Sequence, residues 1–296
     1  MSIIVQTIGG LGNQLFQYAF ARAVSYKLKT DFFLNWVPFG TKYFKGHEYS
    51  LQHFNIKVRM AKSYSFGGFV WIKKHHRLFN AIYEHLRLRR FLFPFYYQEK
   101  SFAFDPDVFS RKGNTYFDGF WQTEKYFKDI GDELRKEISL IKPLSEYSQI
   151  VSEEIKATNA VSLHVRRADL VFDPEMNAFH GICSLDYYKK AVAYVTDQIT
   201  SPHFFIFSDD YEWAVENFKF LQHPYTCIKN GADKNYEDIT LMSKCKHHII
   251  ANSSFSWWGA WLNPSAEKIV IAPKRWFANA PKADIKDLIP DNWIKI

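Results

Sequence analysis

Four short apolar runs divide the second half of this chain at regular intervals: AVSLHV (160–165), HFFIF (203–207), HHIIA (247–251) and KIVIA (268–272). Runs of this length, rich in β-branched and aromatic residues, match strands covered on both faces. Segments with helical spacing separate or follow them at 185–198, 211–218, 236–245 and 255–262, and another lies at 146–157. Strands alternating with helices give a parallel sheet wrapped by helices. Each run also ends in polar or turn-forming residues. Arg166, Arg167 and Asp169 follow the first, Ser208, Asp209 and Asp210 the second, Asn252, Ser253 and Ser254 the third, and Pro273, Lys274 and Arg275 the fourth. In an open parallel sheet, ligands bind beyond the carboxyl ends of the strands. Four polar strand ends are therefore expected to converge on one crevice.

The chain opens with the same grammar. Residues 3–8 (IIVQTI) read as a buried strand, and Gly9, Gly10 and Gly12 break it. Asn13 is expected to cap a helix whose apolar face carries Phe16, Ala19, Phe20, Ala23 and Val24 at i, i+3, i+4, i+7 and i+8. Short strands and loops are expected over 31–66, a strand near 116–120, and one or two helices over 124–138. Residues 67–100 are basic and aromatic and are expected to be helical. A polar joint at Lys142, Pro143 and Ser145 divides the chain into 1–143 and 144–296. A chain of 296 residues suits two units of about 150 residues each.

The polar ends have the chemistry of a nucleoside diphosphate site. Arginine offers planar, permanently charged donors for phosphate. Asn252–Ser253–Ser254 precede a helix, where free N–H groups and the dipole favour an anion. An aspartate at a strand end can accept from a guanine edge or from ribose hydroxyls. Plainer readings stand beside these: Arg166 or Arg167 pairing with Asp169, Ser253 as a helix cap, and Asp209–Asp210 as a turn. GGLGN is not the G-x-G-x-x-G dinucleotide fingerprint, and no Walker loop is present. Asp105-x-Asp107 reads as a surface turn around Pro106 rather than a metal-binding pair, and Trp257 and Trp258 read as core.

The net charge of +7 suits an anionic ligand, a nucleic acid or an anionic membrane surface. Nucleic-acid binding is disfavoured, because no recognised motif is present and the polar residues gather at strand ends rather than on one basic face. The basic 67–100 stretch reads either as a surface for lipid-linked acceptors with peripheral contact to the inner membrane, or as a solvated face. The three cysteines Cys183, Cys227 and Cys245 have no framework spacing. No signal peptide and no uncharged apolar stretch of about 18 residues is found. A cytoplasmic enzyme is expected.

Taken together, IGGLGNQLFQYAFARA (8–23), HVRRAD (164–169), HGICSLDYY (180–188), FSDD (207–210) and ANSSFSWWGAWL (251–262) resemble, in order, the blocks of the inverting α-1,2-fucosyltransferase family of the bacterial O-antigen and oligosaccharide type. HVRRAD also resembles the arginine motif of α-1,6- and protein O-fucosyltransferases. The resemblance implies a GT-B-type α/β architecture, two Rossmann-like domains facing across a cleft. It implies GDP-fucose as donor, a galactose-terminated glycan as acceptor, and no cofactor or metal. On that likeness Arg166 holds the β-phosphate and Asp209 reads the guanine. Ser253, Ser254 and Phe255 close around the phosphates, with His164 in the same donor set. Gly10 and Asn13 reach the donor sugar or the acceptor from the other domain. Arg166, Asp169 and His180 are the catalytic candidates. The general base is open between Asp169 and His180, with Glu175 a further loop acid. Transfer to a 6-hydroxyl or to protein is the alternative within the same chemistry.

Overall fold

The computed structural model describes residues 2–36, 48–61, 96–167, 170–171, 173–280 and 284–296. Strands β1 (Ser2–Thr7), β2 (Asp31–Trp36), β3 (Arg59–Met60), β4 (Tyr96–Gln98) and β5 (Thr115–Asp118) form one sheet in the order β3-β2-β1-β5-β4. A second sheet contains β6 (Asn159–Val165), β7 (Pro202–Ser208), β8 (Tyr225–Cys227), β9 (His247–Ile249), β10 (Val270–Ala272) and β11 (Ile294–Lys295), in the order β11-β10-β9-β6-β7-β8. Every pairing in both sheets is parallel. Their central strands are buried on both faces, which is why Ile3, Ile4, Val5 and Phe204, Phe205, Ile206 run on without alternation. This is the two-unit GT-B-type arrangement.

The helices are α1 (Leu11–Leu28), α2 (Gly131–Glu137), α3 (Glu146–Ala157), α4 (Pro174–His180), α5 (Leu185–Gln198), α6 (Tyr211–Asn217), α7 (Asn235–Lys244) and α8 (Ser254–Leu262). Two expectations need correction. Gly10, not Asn13, is the N-cap of α1, which places Asn13 inside its first turn. Tyr96–Gln98, expected as the end of a basic helix, is strand β4; residues 67–95 of that stretch lie outside the described residues. Helix α4 was unanticipated, although its start follows ordinary rules: Pro174 stands in the first turn and Asp173 accepts from the amides of Glu175 and Met176.

One hydrophobic cluster joins the two sheets. Trp257 and Trp258 of α8 are fully buried, as expected of core residues. Phe16 of α1 packs at 4.5 Å from Trp257 and 5.1 Å from Trp258, and Phe127 stacks on Trp258 at 5.4 Å between ring centroids. Trp257 Nε1 donates to the Leu288 carbonyl at 2.9 Å, and Trp261 Nε1 to Glu124 Oε2 at 2.9 Å. Helix α8 thus connects β9 to β10 within the second sheet but packs against α1 of the first. That contact brings the carboxyl ends of β1 and β9 together.

Candidate active site

The centre of the site is the meeting of two helix N-termini. Helix α1 starts after β1, and α8 starts after β9. A Cβ on Gly12 would lie 2.5 Å from the Phe255 amide nitrogen and 2.5 Å from the Ser254 carbonyl carbon. Only glycine permits that approach of backbone to backbone. Asn13 Oδ1 accepts from Ser254 Oγ at 2.8 Å and from Gln122 Nε2 at 2.8 Å, so one side chain ties the first sheet to α8. Ser253 Oγ accepts from the Phe255 amide at 3.3 Å, the cap expected as its plainer role. Two positive dipole ends at one point make a strong preference for an anion.

A charged corner lies beside this point. Half-buried Arg166 directly follows β6. The Arg167 amide donates to Asp209 Oδ1 at 2.8 Å, while its Nε donates to Asp210 Oδ2 at 2.9 Å. The Arg167 guanidinium also lies 4.5 Å from the centre of the Trp213 ring. Asp210 caps α6 through the Trp213 amide. Arg167 thus serves as a brace between the tips of β6 and β7. His164 is buried in β6, its ring 5.5 Å from that of Phe255, which links this corner to the start of α8. Tyr188 Oη donates to the His164 carbonyl at 3.1 Å.

The segment that carries His180 is clamped. Buried Asn252 donates through Nδ2 to the carbonyls of His180 and Gly181, each at 3.0 Å, and of Trp276 at 3.1 Å. Cys183 Sγ donates to Asn252 Oδ1 at 3.3 Å. Asn252 therefore holds the 180–183 turn, and its donors are committed to protein carbonyls. The His180 ring packs on Phe179 and Phe277. Gly10 caps α1, its carbonyl accepting from the amides of Asn13 and Gln14. Glu175 lies in the exposed first turn of α4. Asp169 lies outside the described residues. Asp105 caps the 3₁₀ turn at Pro106–Ser110 and accepts from Tyr97 Oη at 2.6 Å, a structural role in the turn expected there.

Several polar residues at the same strand tips went unread in the sequence. Gln14 and Gln17 are fully buried on the apolar face of α1. Gln14 donates to the carbonyls of Gly9 and Glu48 and accepts from the Ser50 amide; Gln17 donates to the Gly119 carbonyl and accepts from the Ile8 amide. Their signal was a polar residue recurring at i, i+3 within an apolar helix. Glu99, just beyond β4, accepts from the amides of Phe120 and Trp121. Near β8, Asn230 Nδ2 donates to Asp238 Oδ1 at 2.7 Å. Burial pushes the Asp238 carboxyl up to about 7, with the Glu237 charge adding to the rise against the Asn230 bond. Burial also pushes buried Glu237 upward, but hydrogen bonds from Ser145 and Ser148 outweigh it and leave that carboxyl below its ordinary value. A carboxyl with spare acceptor capacity beside the β7 and β8 tips is chemically suited to the N–H edge of a purine. Among the described residues no cluster of His, Cys, Asp and Glu could hold a metal ion.

Proteins similar to this chain are glycosyltransferases. The sequence profile of glycosyl transferase family 11 matches residues 1–296. An α-1,2-colitosyltransferase of Escherichia coli is 34% identical over 304 residues, covering 100% of this chain and 99% of that protein. The O-antigen biosynthesis glycosyltransferase WbnK of Escherichia coli is 32% identical, with 97% and 98% covered. Human galactoside α-(1,2)-fucosyltransferase 1 is 24% identical over 49% of this chain and 42% of its own. In fold, the chain is similar to a variant of Arabidopsis thaliana FUT1 in complex with GDP, at TM-score 0.52, 9% identity, and 91% and 69% coverage. It is similar as well to NodZ α-1,6-fucosyltransferase co-crystallized with GDP, at TM-score 0.50, 14% identity, and 89% and 92% coverage.

Proposed function

The chain belongs to glycosyl transferase family 11, and on that premise we propose that it transfers L-fucose from GDP-fucose, with inversion, to the 2-hydroxyl of a terminal galactose in a glycan. The observation that carries this reading is the junction of the α1 and α8 N-termini, locked by Asn13 and Ser254 beside Arg166. Such a junction favours a leaving diphosphate over a neutral ligand. We take residues 1–143 as the acceptor unit and 144–296 as the donor unit.

In the proposed reaction the acceptor oxygen attacks the anomeric carbon from the face opposite GDP. A bond forms from that oxygen to carbon as the carbon–oxygen bond to the β-phosphate breaks. The hydroxyl proton passes to a base, for which Asp169 and His180 remain the candidates, and GDP departs with the electron pair. Negative charge grows on the β-phosphate, where Arg166 and the helix N-termini are already placed. Asp209 and Asp238 are the carboxyls assigned to the guanine end.

The full-length similarity to an α-1,2-colitosyltransferase supports a second reading, in which the donor is GDP-colitose. Colitose is fucose without its 3-hydroxyl, so the two readings share the phosphate chemistry and differ at one donor contact. The test is direct. The chain is assayed with each donor against lactose, N-acetyllactosamine and type-1 glycans, and product linkage and anomeric configuration are read by NMR. An α-1,2 product from GDP-fucose supports the first reading, and preference for GDP-colitose supports the second. Transfer to a 6-hydroxyl or to protein, or absence of transfer from both donors, overturns the proposal.

A further inference from the structure

Glu99 occupies an unusual place at the tip of the first sheet. It is the residue just past β4, and both its oxygens point at backbone. Oε2 accepts from the Phe120 amide at 2.7 Å, and Oε1 from the Trp121 amide at 2.9 Å. Successive amides of a tight turn form a small anion-binding concavity. Here a carboxylate of the same chain fills it. The turn is otherwise difficult to form: Trp121 has φ of 58°, in the left-handed region that non-glycine residues avoid. Its neighbour Gly119 allows the carboxylate in, since a Cβ there would lie 2.4 Å from Glu99 Cβ. A half-buried carboxylate on two amides supports such a turn.

What the turn carries connects it to the site. Gly119 is held by Gln17, and the residue after Trp121 is Gln122. Gln122 donates to Asn13, and Asn13 Oδ1 also accepts from Ser254 at the start of α8. The path from Glu99 to the helix junction thus runs through one turn and two side chains, with each link within hydrogen-bond distance. We infer that Glu99 is a positioning residue: it fixes the Gly119–Gln122 turn, and through Gln122 and Asn13 it sets how the α1 and α8 N-termini face each other. The kinetic part of this inference rests on the proposed transfer reaction; the structural part does not.

The charge state of Glu99 matters to this role. Burial pushes its carboxyl up to about 7, the two amide bonds work against that rise, and the Asp118 charge adds to it. Asp118 on β5 and the Tyr126 phenol are the titratable groups that interact with it. Above neutrality both oxygens accept. After protonation one oxygen carries a hydrogen toward an amide N–H and that bond is lost. Turnover is therefore expected to rise with pH through the neutral range, and Glu99→Gln, which fixes the protonated hydrogen-bonding pattern, is expected to flatten that limb.

The experiment uses the intact chain carrying Glu99→Gln, Gln122→Ala, or both. Each single change is expected to lower kcat by about 10- to 100-fold, the size that small misplacement of reacting groups produces. The double variant is expected to lose no more than the worse single variant, because both cut one path. Losses in kcat that multiply in the double variant would overturn the relay, and so would an unchanged neutral pH limb in Glu99→Gln. Amide hydrogen exchange supplies an arm that needs no turnover. Faster exchange in Glu99→Gln is expected at Phe120–Gln122 and also at 253–256, across the junction. Exchange altered at the turn alone refutes the relay even if the chain proves inactive with every donor, an outcome that counts against the proposed reaction instead. Retention of native circular dichroism distinguishes both results from unfolding.

Discussion

The two sheets present opposite chemistry at their carboxyl ends. At the tips of β1 and β5 neutral amides predominate, Gln14, Gln17, Gln122 and Asn13, each bonded to backbone or to another side chain, and the two carboxyls there, Asp118 and Glu99, are bonded to the Tyr96 hydroxyl and to backbone amides. At the tips of β6 and β7 they are charged: Arg166, Arg167, Asp209 and Asp210. Burying an amide costs little when its donors and acceptors are matched, whereas burying an ion is expensive. Gln14 and Gln17 are accordingly sealed in, while Asp209 stays exposed and Arg166 half-buried. An amide frame can be rigid because it is fully committed. A charged rim can take a ligand because it is not sealed. Under the proposed function, the contrast gives framing to one sheet and diphosphate binding to the other.

The hardest test of that assignment is Arg166→Ala. It should lower kcat by about 10²- to 10³-fold, as loss of one preplaced donor to a developing charge does, with far-ultraviolet circular dichroism unchanged. Near-normal turnover would remove the charged rim from the reaction. On the framing side, Gly12→Ala should cost stability, about 1–3 kcal/mol for an overpacked contact, because its Cβ would meet backbone at 2.5 Å. Gln17→Ala should lower stability by about 1–3 kcal/mol through two orphaned backbone groups while leaving donor KM alone; a change in KM with no loss in Tm would reverse the two roles. Asp209→Ala should do the opposite, raising donor KM by about tenfold, the worth of one charge-assisted bond, with little change in Tm.

Smaller effects sharpen the picture. His248 is fully buried between Ser162 Oγ at 2.8 Å and Asn263 Nδ2 at 3.1 Å. Burial holds its pKa well below that of an ordinary histidine, with Lys268 and His247 adding to the effect. The unfolded chain takes up this proton near pH 6.5 and the folded chain does not, so stability should fall below that pH by up to about 1.4 kcal/mol per unit. His248→Asn should reduce that slope by up to one proton in urea titrations; an unchanged slope would mean His248 is charged in the fold. Under the proposed mechanism, in which Arg166 and backbone amides meet the leaving charge, treatment with EDTA should leave turnover unaltered. Loss restored by Mg²⁺ would assign part of that work to a metal.

Much of the second sheet was legible because its signals are local. Apolar runs, helical spacing and polar residues just past a strand need no partner to be recognised. The helix start at Ser253 was readable for the same reason. The short strands β3, β8 and β11 were not, since two or three residues carry no period. Arg167 and Asp210 look in sequence like ligand groups of the same rank as Arg166 and Asp209. Only their mutual bond, across 43 positions, shows that they brace each other. Asn13 read as a cap because its type suits one, yet the groups that donate to it are Ser254 and Gln122, at 241 and 109 positions away, and no local rule reaches that far.

The tryptophan helix α8 has a further consequence. Phe16 and Phe127 from the first half close over Trp257 and Trp258 from the second, within one apolar cluster. Neither half can finish its interior without the other. A gene fragment ending near residue 143 would leave those phenylalanine rings facing water, and the complementary fragment would expose the indoles. The polypeptide should accordingly melt in one cooperative transition, and its halves should be insoluble when expressed separately yet soluble when expressed together.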